Sequence, residues 1–421
     1  MGERKMMKKV LLTGVAATAM LLLGACGGGG SSSTNEDQTT IKYYSFSATP
    51  DYEDQLNEMV ESFEQENEDI KVDVELVPFN DYFTKLQTLM AGDQAPDVFE
   101  LNYENFVSYA EKGALLELGK YIDEDKDFDS SQLNKEAFEA YQYDGKQYGM
   151  VESFSNVVTF YNKDLFDEAG IDYPTKDWSW SDEVDAAKKL TDADNNIYGT
   201  YSPVTMNEFY KVAAQNGGKL KDDSGNWTIN DPKNVEALEY MVNNVTKDKV
   251  SPSPEEMSGQ NSEDLFLNGQ LAMVHTGIWM FGQFKDADFD WDIQVEAGNT
   301  QKATHFFANG LAVSKETKHA EAAYKFTRFM SASKDVAEIR VDSGWELPAV
   351  TDDEVLAPYL EQTPPENRKA VFDSLDYLIL PPVDAEWSKV SDSSDKEFQK
   401  VLLGDESAKD ALDNLQSEFG E

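Results

Sequence analysis

The chain has 421 residues, 36 Lys and Arg against 80 Asp and Glu, a formal net charge of −44, 12% aromatic residues and one cysteine. The apolar content is too high for a disordered chain, and one cysteine cannot form a disulfide framework. The negative charge argues against binding to nucleic acid, whose affinity depends on Lys and Arg, and three scattered histidines make a His-based metal site or catalytic triad improbable.

The first 25 residues have the pattern of a secretion signal. Basic residues at positions 4–9 precede a mostly apolar run from Val10 to Ala25, which is short for a membrane-spanning helix. The run ends Leu-Gly-Ala-Cys26 and resembles the lipobox of bacterial lipoproteins, which implies cleavage before Cys26 and a lipid on its thiol. A plain signal peptide with an incidental cysteine is the alternative. The Gly/Ser-rich stretch 26–38 is predicted to be a flexible tether.

Strands and helices alternate in the next hundred residues. A strand is predicted at Ile41–Phe46, then a helix from Tyr52, a strand at Val72–Leu76, a helix over Tyr82–Met90 and a strand at Pro96–Phe99. This alternation predicts an α/β fold with a largely parallel sheet.

A second α/β stretch begins near Val157. It contains a predicted helix over Ser181–Leu190, a hairpin-like turn at Asp222–Asn226 and a helix that starts near Pro232. The segments beyond Lys315 are expected to be mostly helical. The acidic turn 192–196 is similar to a calcium loop but has Ile197 where glycine is needed. We therefore expect a solvated turn, with no metal and no cofactor.

Six blocks between residues 90 and 348 identify a family. They read MAGDQAPDV, FYNKDLFDEAGIDYP, WSWSDEV, LNGQLAMVHTGIW, NGLAVSKETKHAEAAYKFTRFM and GWELP. In this order they resemble the extracellular solute-binding proteins of carbohydrate ABC transporters, a group distantly related to maltose-binding protein. The resemblance implies a two-lobed fold of the type II periplasmic-binding-protein kind, with a ligand cleft between lobes joined by hinge crossings.

The resemblance also implies how the chain is divided and used. Lobe 1 would comprise residues 39–151 and 300–317, and lobe 2 residues 152–299 and 318–421. The protein would bind a neutral oligosaccharide at the outer face of a Gram-positive type of cell membrane and deliver it to the permease subunits of an importer. We expect a monomer that does not act as an enzyme.

A sugar site needs flat aromatic rings for the C–H faces and short polar or acidic side chains for the hydroxyls. Such residues are sought in loops that follow strands, where open α/β sheets bind ligands. The family's ligand-stacking position falls on Trp279 and, more loosely, on Trp387; His275 and His305 are interpreted as structural. The predicted ligand-binding residues are Phe46, Ser47, Asn102, Tyr103, Glu104, Glu152, Asn207, Glu208, Trp279, Phe307, Asn309, Trp345, Glu346 and Trp387.

Three alternative functions are weighed against the sequence. The acidic charge is compatible with capture of a cationic solute such as a polyamine or a basic peptide. A glycosidase needs two positioned carboxylates, and a chain with 80 acidic residues offers such pairs by chance. The chain has no GxSxG, HExxH or phosphate-loop motif, so catalysis has no positive signal in the sequence. A surface adhesin would lack a small-molecule cleft, which the family blocks argue against.

Overall fold

The computed structural model describes residues 38–48, 52–384 and 386–420. The predicted signal peptide, Cys26 and the tether up to residue 37 lie outside the described residues. Within them, no helix has the length and apolar character needed to cross a bilayer.

The strands of the described chain include the three predicted near 41–46, 72–76 and 96–99. They are β1 Thr39–Ser45, β2 Ile70–Leu76, β3 Val98–Asn102, β4 Gln142–Tyr143, β5 Lys146–Gln147, β6 Gly149–Asn162, β7 Met273–Gly277, β8 Trp291–Gln294, β9 Thr304–Val313, β10 Leu347–Pro348 and β11 Leu378–Ile379.

The helices confirm the predicted elements around 52–66, 82–90, 181–190 and 232, and the two final helices. They are α1 Glu53–Glu66, α2 Phe79–Ala91, α3 Tyr103–Glu111, α4 Gly119–Glu124, α5 Lys135–Glu139, α6 Lys163–Ala169, α7 Trp180–Leu190, α8 Met206–Gln215, α9 Pro232–Thr246, α10 Pro254–Met257, α11 Ser262–Leu267, α12 Phe281–Phe284, α13 Ala320–Ala332, α14 Lys334–Ser343, α15 Asp353–Glu361, α16 Lys369–Ser374, α17 Trp387–Leu403 and α18 Ala408–Phe419. Short 3₁₀ turns lie at Ser130–Gln132, Ile278–Met280 and Leu375–Tyr377.

One sheet connects the two halves of the chain. Its strands run in the order β10-β6-β9-β3-β1-β2, with β7 and β8 added to the far part of β6 and β11 added to β9. The strands β1, β2 and β3 are parallel, and β9 runs antiparallel to both β3 and β6. Since β6 pairs with β9 through its first half and with β7 and β8 through its second, it belongs to both halves of the fold.

The helices after β9 return to the first half of the chain. Phe326 and Met330 of α13 share a buried core with Ile41 of β1 and Phe63 of α1. The sequence analysis placed all of 318–421 in lobe 2. The apolar face of α13 packs against β1 and α1, which belong to the predicted lobe 1.

The two polar turns are closed by their own side chains. Asp192 accepts a hydrogen bond from the Asn195 side chain at 2.7 Å, and Asp222 accepts one from Asn226 at 3.0 Å. No group of three or more His, Cys, Asp or Glu side chains able to hold a metal occurs in the described part of the chain.

Candidate functional site

The strand β9 presents three of its side chains on one face. Side chains alternate along a strand, so His305, Phe307 and Asn309 lie together. Phe307 pairs across the ladder with Ser155 of β6, and Asn309 pairs with Asn102 at the end of β3. This face of β9 therefore meets residues from both halves of the sheet.

An aromatic row crosses this face. The ring of Trp279 contacts Phe307 edge-on, with 5.6 Å between the ring centroids. Phe307 stacks on His305 with a centroid distance of 5.2 Å and an interplanar angle of 9°. His305 meets Tyr210 of α8 at 5.0 Å, and Tyr210 meets Trp387 of α17 at 6.3 Å. We call these five residues the aromatic row. The structure thus brings together three predicted residues, Trp279, Phe307 and Trp387, which are far apart in the sequence.

Glycine at position 277 makes room for the Trp279 ring. A Cβ atom at Gly277 would lie 1.9 Å from the ring, a distance that real Cβ atoms do not reach. The ring therefore lies over the backbone at the end of β7. Both Trp279 and Phe307 remain partly exposed, so their rings are accessible to a ligand.

A network of buried ionic contacts connects α8 with β7 and with residues 183 and 296 next to the aromatic row. The Lys211 Nζ lies 2.6 Å from both Glu208 Oε1 and Glu296 Oε1. His275 lies 3.1 Å from the same Glu296 oxygen and 2.8 Å from Glu183 Oε1. Burial alone would lower the pKa of His275, but Glu183 and Glu296 outweigh it and raise that pKa to about 10. His275 is therefore a charged structural residue at neutral pH.

His305 is neutral by contrast. Burial, reinforced by the nearby Lys211, lowers its pKa despite Glu208. Its Nε2 donates a hydrogen bond to the Asn207 carbonyl at 2.8 Å, and its Nδ1 has no partner in the described structure. The Asn207 side chain itself is exposed. Asn207 thus orients His305 through its backbone, and His305 Nδ1 is left as an acceptor.

The start of α3 faces the row from the other half. Glu104 Oε2 is buried with no partner among the residues described, and burial raises the pKa of Glu104 to about 7. Burial and then the charge of Glu104 raise the pKa of Tyr210, which places the Glu104 carboxyl near α8. Tyr103 is partly buried beside Glu104, and Asn102 accepts a hydrogen bond from Asn105 at 2.8 Å.

The loop after β1 is held by a buried carboxylate. Glu100 Oε2 accepts hydrogen bonds from Ser45 Oγ at 2.9 Å, the Phe46 amide at 2.9 Å and the Ser47 amide at 3.1 Å. Burial and the nearby Glu152 raise the pKa of Glu100 to about 8. The sequence analysis missed Glu100, because a glutamate inside an apolar strand gives no sign of which backbone amides it will meet.

Three predicted residues lie in a polar core instead of on an open surface. Arg340 Nη2 donates to Glu152 Oε1 at 2.6 Å, and its Nη1 lies 4.0 Å from Glu346 Oε2. Asn309 Nδ2 also donates to Glu346, at 3.1 Å, as does the hydroxyl of Ser153. Glu346 and Asn309 are thus paired with protein groups, whereas Glu152 is paired only through Oε1 and its Oε2 has no partner in the described structure.

Trp345 is also enclosed by protein. It is 1% exposed, stacks on Tyr52 at 4.5 Å and 4°, and carries the Arg340 guanidinium 4.2 Å from its ring centre. Both of its faces are covered, so Trp345 offers no surface on which a sugar could stack.

Some of the buried polar atoms without partners belong to the aromatic row or to residues beside it, while others lie elsewhere in the described chain. In the described structure, Tyr210 Oη and His305 Nδ1 of the row, Ser155 Oγ across from Phe307 and Glu104 Oε2 at the start of α3 are buried and make no hydrogen bond. Buried polar groups are rarely left unpaired in proteins unless a ligand or water completes them. Aromatic rings with mixed donors and acceptors fit the C–H faces and hydroxyl rim of a carbohydrate.

Comparison with known proteins shows which family the chain resembles in sequence. Residues 49–337 match the family model of the bacterial extracellular solute-binding proteins. The arabinooligosaccharide-binding protein of Bacillus subtilis is 26% identical over 315 residues, which cover 71% of this chain and 70% of the relative.

Solved structures extend the similarity over nearly the whole described chain. The ABC substrate-binding protein Lmo0181 from Listeria monocytogenes, solved with cycloalternan, is 61% identical with a TM-score of 0.88, covering 91% of this chain and 98% of its own. The GacH receptor of Streptomyces glaucescens shares the fold, with a TM-score of 0.79 at 22% identity over 91% of this chain and 97% of its own. The predicted type II fold is thereby confirmed, and this chain belongs to the family of bacterial extracellular solute-binding proteins.

Proposed function

We propose that the protein captures a neutral oligosaccharide outside the cell and passes it to the permease of an ABC importer. The observation that carries this proposal is the aromatic row, in which Tyr210 Oη and His305 Nδ1 are buried without hydrogen-bond partners in the described structure. Curated relatives named for arabino- and galacto-oligosaccharide binding support the substrate class. The relative at 61% identity was solved with cycloalternan, which makes this cyclic oligosaccharide our proposed ligand.

The binding mode follows from the two sides of the site. Trp279 and Phe307 would stack on the sugar, while Tyr210 and His305 meet its hydroxyls from the α8 side. Glu104 would accept hydroxyl donors from the α3 side. A ligand that contacts both sides at once favours the conformation in which they are close. The lobes we propose are 39–151 with 300–317 and 152–299 with 318–421, modified by assigning 320–345 to the first.

The protein would act at the cell surface and would release its ligand intact. The chain would be anchored at the outer face of the membrane through a lipid on Cys26, and would work as a monomer. The sugar would leave unchanged, as expected for a member of a family of solute-binding proteins.

Titration calorimetry tests the proposal. Purified protein without its first 25 residues should bind cycloalternan with a saturable heat and one-to-one stoichiometry, and chromatography should recover the sugar intact. Arabino-oligosaccharides and maltotriose serve as competing sugars, and spermidine serves as the cationic competitor. Absence of heat with every sugar, or binding of spermidine alone, would overturn the proposal.

A further inference from the structure

A second aromatic cluster lies at the edge of the sheet beside the candidate site. Phe79 contacts Phe46 at 5.2 Å and Phe83 at 5.6 Å, and Phe46 contacts Tyr82 at 5.0 Å, all near edge-to-face. We call these four residues the rim cluster. Phe46, Tyr82 and Phe83 are buried or partly buried, but Phe79 is 51% exposed. It is the most exposed aromatic ring among the large hydrophobic residues found exposed in the described chain.

The helix turn that carries Phe79 is attached to the sheet. It is the first residue of α2 and follows Pro78, whose ring restricts the backbone at the helix start. One turn later, the Tyr82 hydroxyl donates to the Glu100 carbonyl at 2.8 Å and to the Tyr44 carbonyl at 3.1 Å. These bonds tie the first turn of α2 to β3 and β1, and the Phe79 ring that this turn carries packs against Phe46 and Phe83.

The rim cluster is continuous with the candidate site. The strands β1, β2 and β3 are parallel, so their carboxyl ends share one edge of the sheet. Phe46 and Ser47 leave this edge after β1, Phe79 after β2, and Tyr103 after β3. Because the Phe46 and Ser47 amides both bind Glu100 of β3, the rim cluster and the α3 side of the site are joined through one carboxylate.

We propose that Phe79 forms an additional sugar-stacking position at the outer edge of the site. A half-exposed phenyl ring at this edge matches the apolar C–H face of a sugar unit. The unit it contacts belongs to an oligosaccharide whose inner units lie on the aromatic row. Phe79 thereby selects for larger glycans over mono- and disaccharides. This inference rests on the proposed function, because it assumes that oligosaccharide binds at the row.

Calorimetry on variants of the protein without residues 1–25 tests the inference. Phe79→Ala should weaken cycloalternan binding by about 5- to 30-fold, the range expected for loss of one stacking contact. Binding of a disaccharide such as maltose should change by less than about two-fold, since it occupies only the inner positions. Phe79→Trp should retain or increase affinity for cycloalternan.

Two further variants separate stacking from a structural effect. Phe79→Leu keeps an apolar side chain on Phe46 and Phe83 but removes the flat ring, so it should lose affinity nearly as Phe79→Ala does. Leu403→Ala, at a residue 74% exposed near the end of α17, should bind both sugars as wild type does. Thermal unfolding confirms that each variant is folded.

The possible outcomes are distinct. If wild type binds cycloalternan and Phe79→Ala binds it equally well, the inference fails while the proposed function stands. Equal weakening for disaccharide and cycloalternan would also overturn it, because Phe79 would then only support Phe46. Unchanged affinity with reduced sugar uptake would assign the ring to a protein partner instead. If wild type binds no sugar, the proposed function itself fails.

Discussion

Replacement of Glu104 by glutamine should make the unliganded protein more stable at alkaline pH. Burial raises the pKa of this carboxyl from 4.5 to about 7 in the folded state. The unfolded chain therefore releases the proton at lower pH than the folded protein does. Stability from this group is fully present below pH 4.5 and is lost as the pH rises through 7.

The size of the effect follows from the two pKa values. Each pH unit between them is worth about 1.4 kcal/mol, so the carboxyl costs the folded state about 3 kcal/mol at pH 8. Glutamine has a similar shape and carries no charge at any pH. The Glu104→Gln variant should therefore match wild type near pH 4.5 and gain up to about 3 kcal/mol over it by pH 8.

Urea unfolding followed by tryptophan fluorescence at pH 5, 6, 7 and 8 measures this difference. The pKa of Glu100, about 8, affects both proteins and cancels in the comparison. Glu239→Gln, on the exposed face of α9, is the matched control and should show no such gain. If wild type and Glu104→Gln keep a constant stability difference from pH 5 to 8, the Glu104 carboxyl is not buried and unpaired as described.

The remaining predictions concern binding and the charges beneath the site. Trp279→Ala should lose about 1–3 kcal/mol of cycloalternan affinity by calorimetry, whereas Trp279→Phe should keep most of it; full affinity in the alanine variant would remove the ring from the site. Lys211→Met should cost about 3–5 kcal/mol in urea unfolding, since it leaves the Glu208 carboxylate without its lysine and Glu296 with His275 alone, and a loss below about 1 kcal/mol would contradict the buried network. Raising NaCl from about 0.05 to about 0.5 M should leave affinity for a neutral sugar almost unchanged, while a cationic ligand would bind much more weakly.

Much of the fold was predictable because its signals are local. The apolar spacing of Leu56, Met59, Val60 and Phe63 defines one face of α1, and all four are buried. The strands near 41–46 and 72–76 and the helix start at Pro232 likewise follow from short patterns. The packing of α13 against β1 and α1 was not predictable, since its stripe of apolar residues does not indicate which half of the molecule it covers.

The candidate site was predictable only in part. Trp279 and Phe307 were both predicted as ligand-binding residues and contact each other, but Tyr210 was missed, although it lies one helical turn after Asn207. Which side of α8 faces β9 depends on Lys211 binding Glu296, a contact 85 residues apart in the chain. The sequence marks Trp345 as an aromatic residue beside an acid, yet it cannot show that Tyr52 and Arg340 cover both of its faces.

A crystal structure of the protein with cycloalternan tests the central claim most directly. We predict an intact glycan against Trp279 and Phe307, with hydroxyls within hydrogen-bonding distance of Tyr210 and Glu104. Sugar found instead in the surface depression lined by Lys42 and Lys318, or recovered from the crystal as cleaved fragments, would contradict the account.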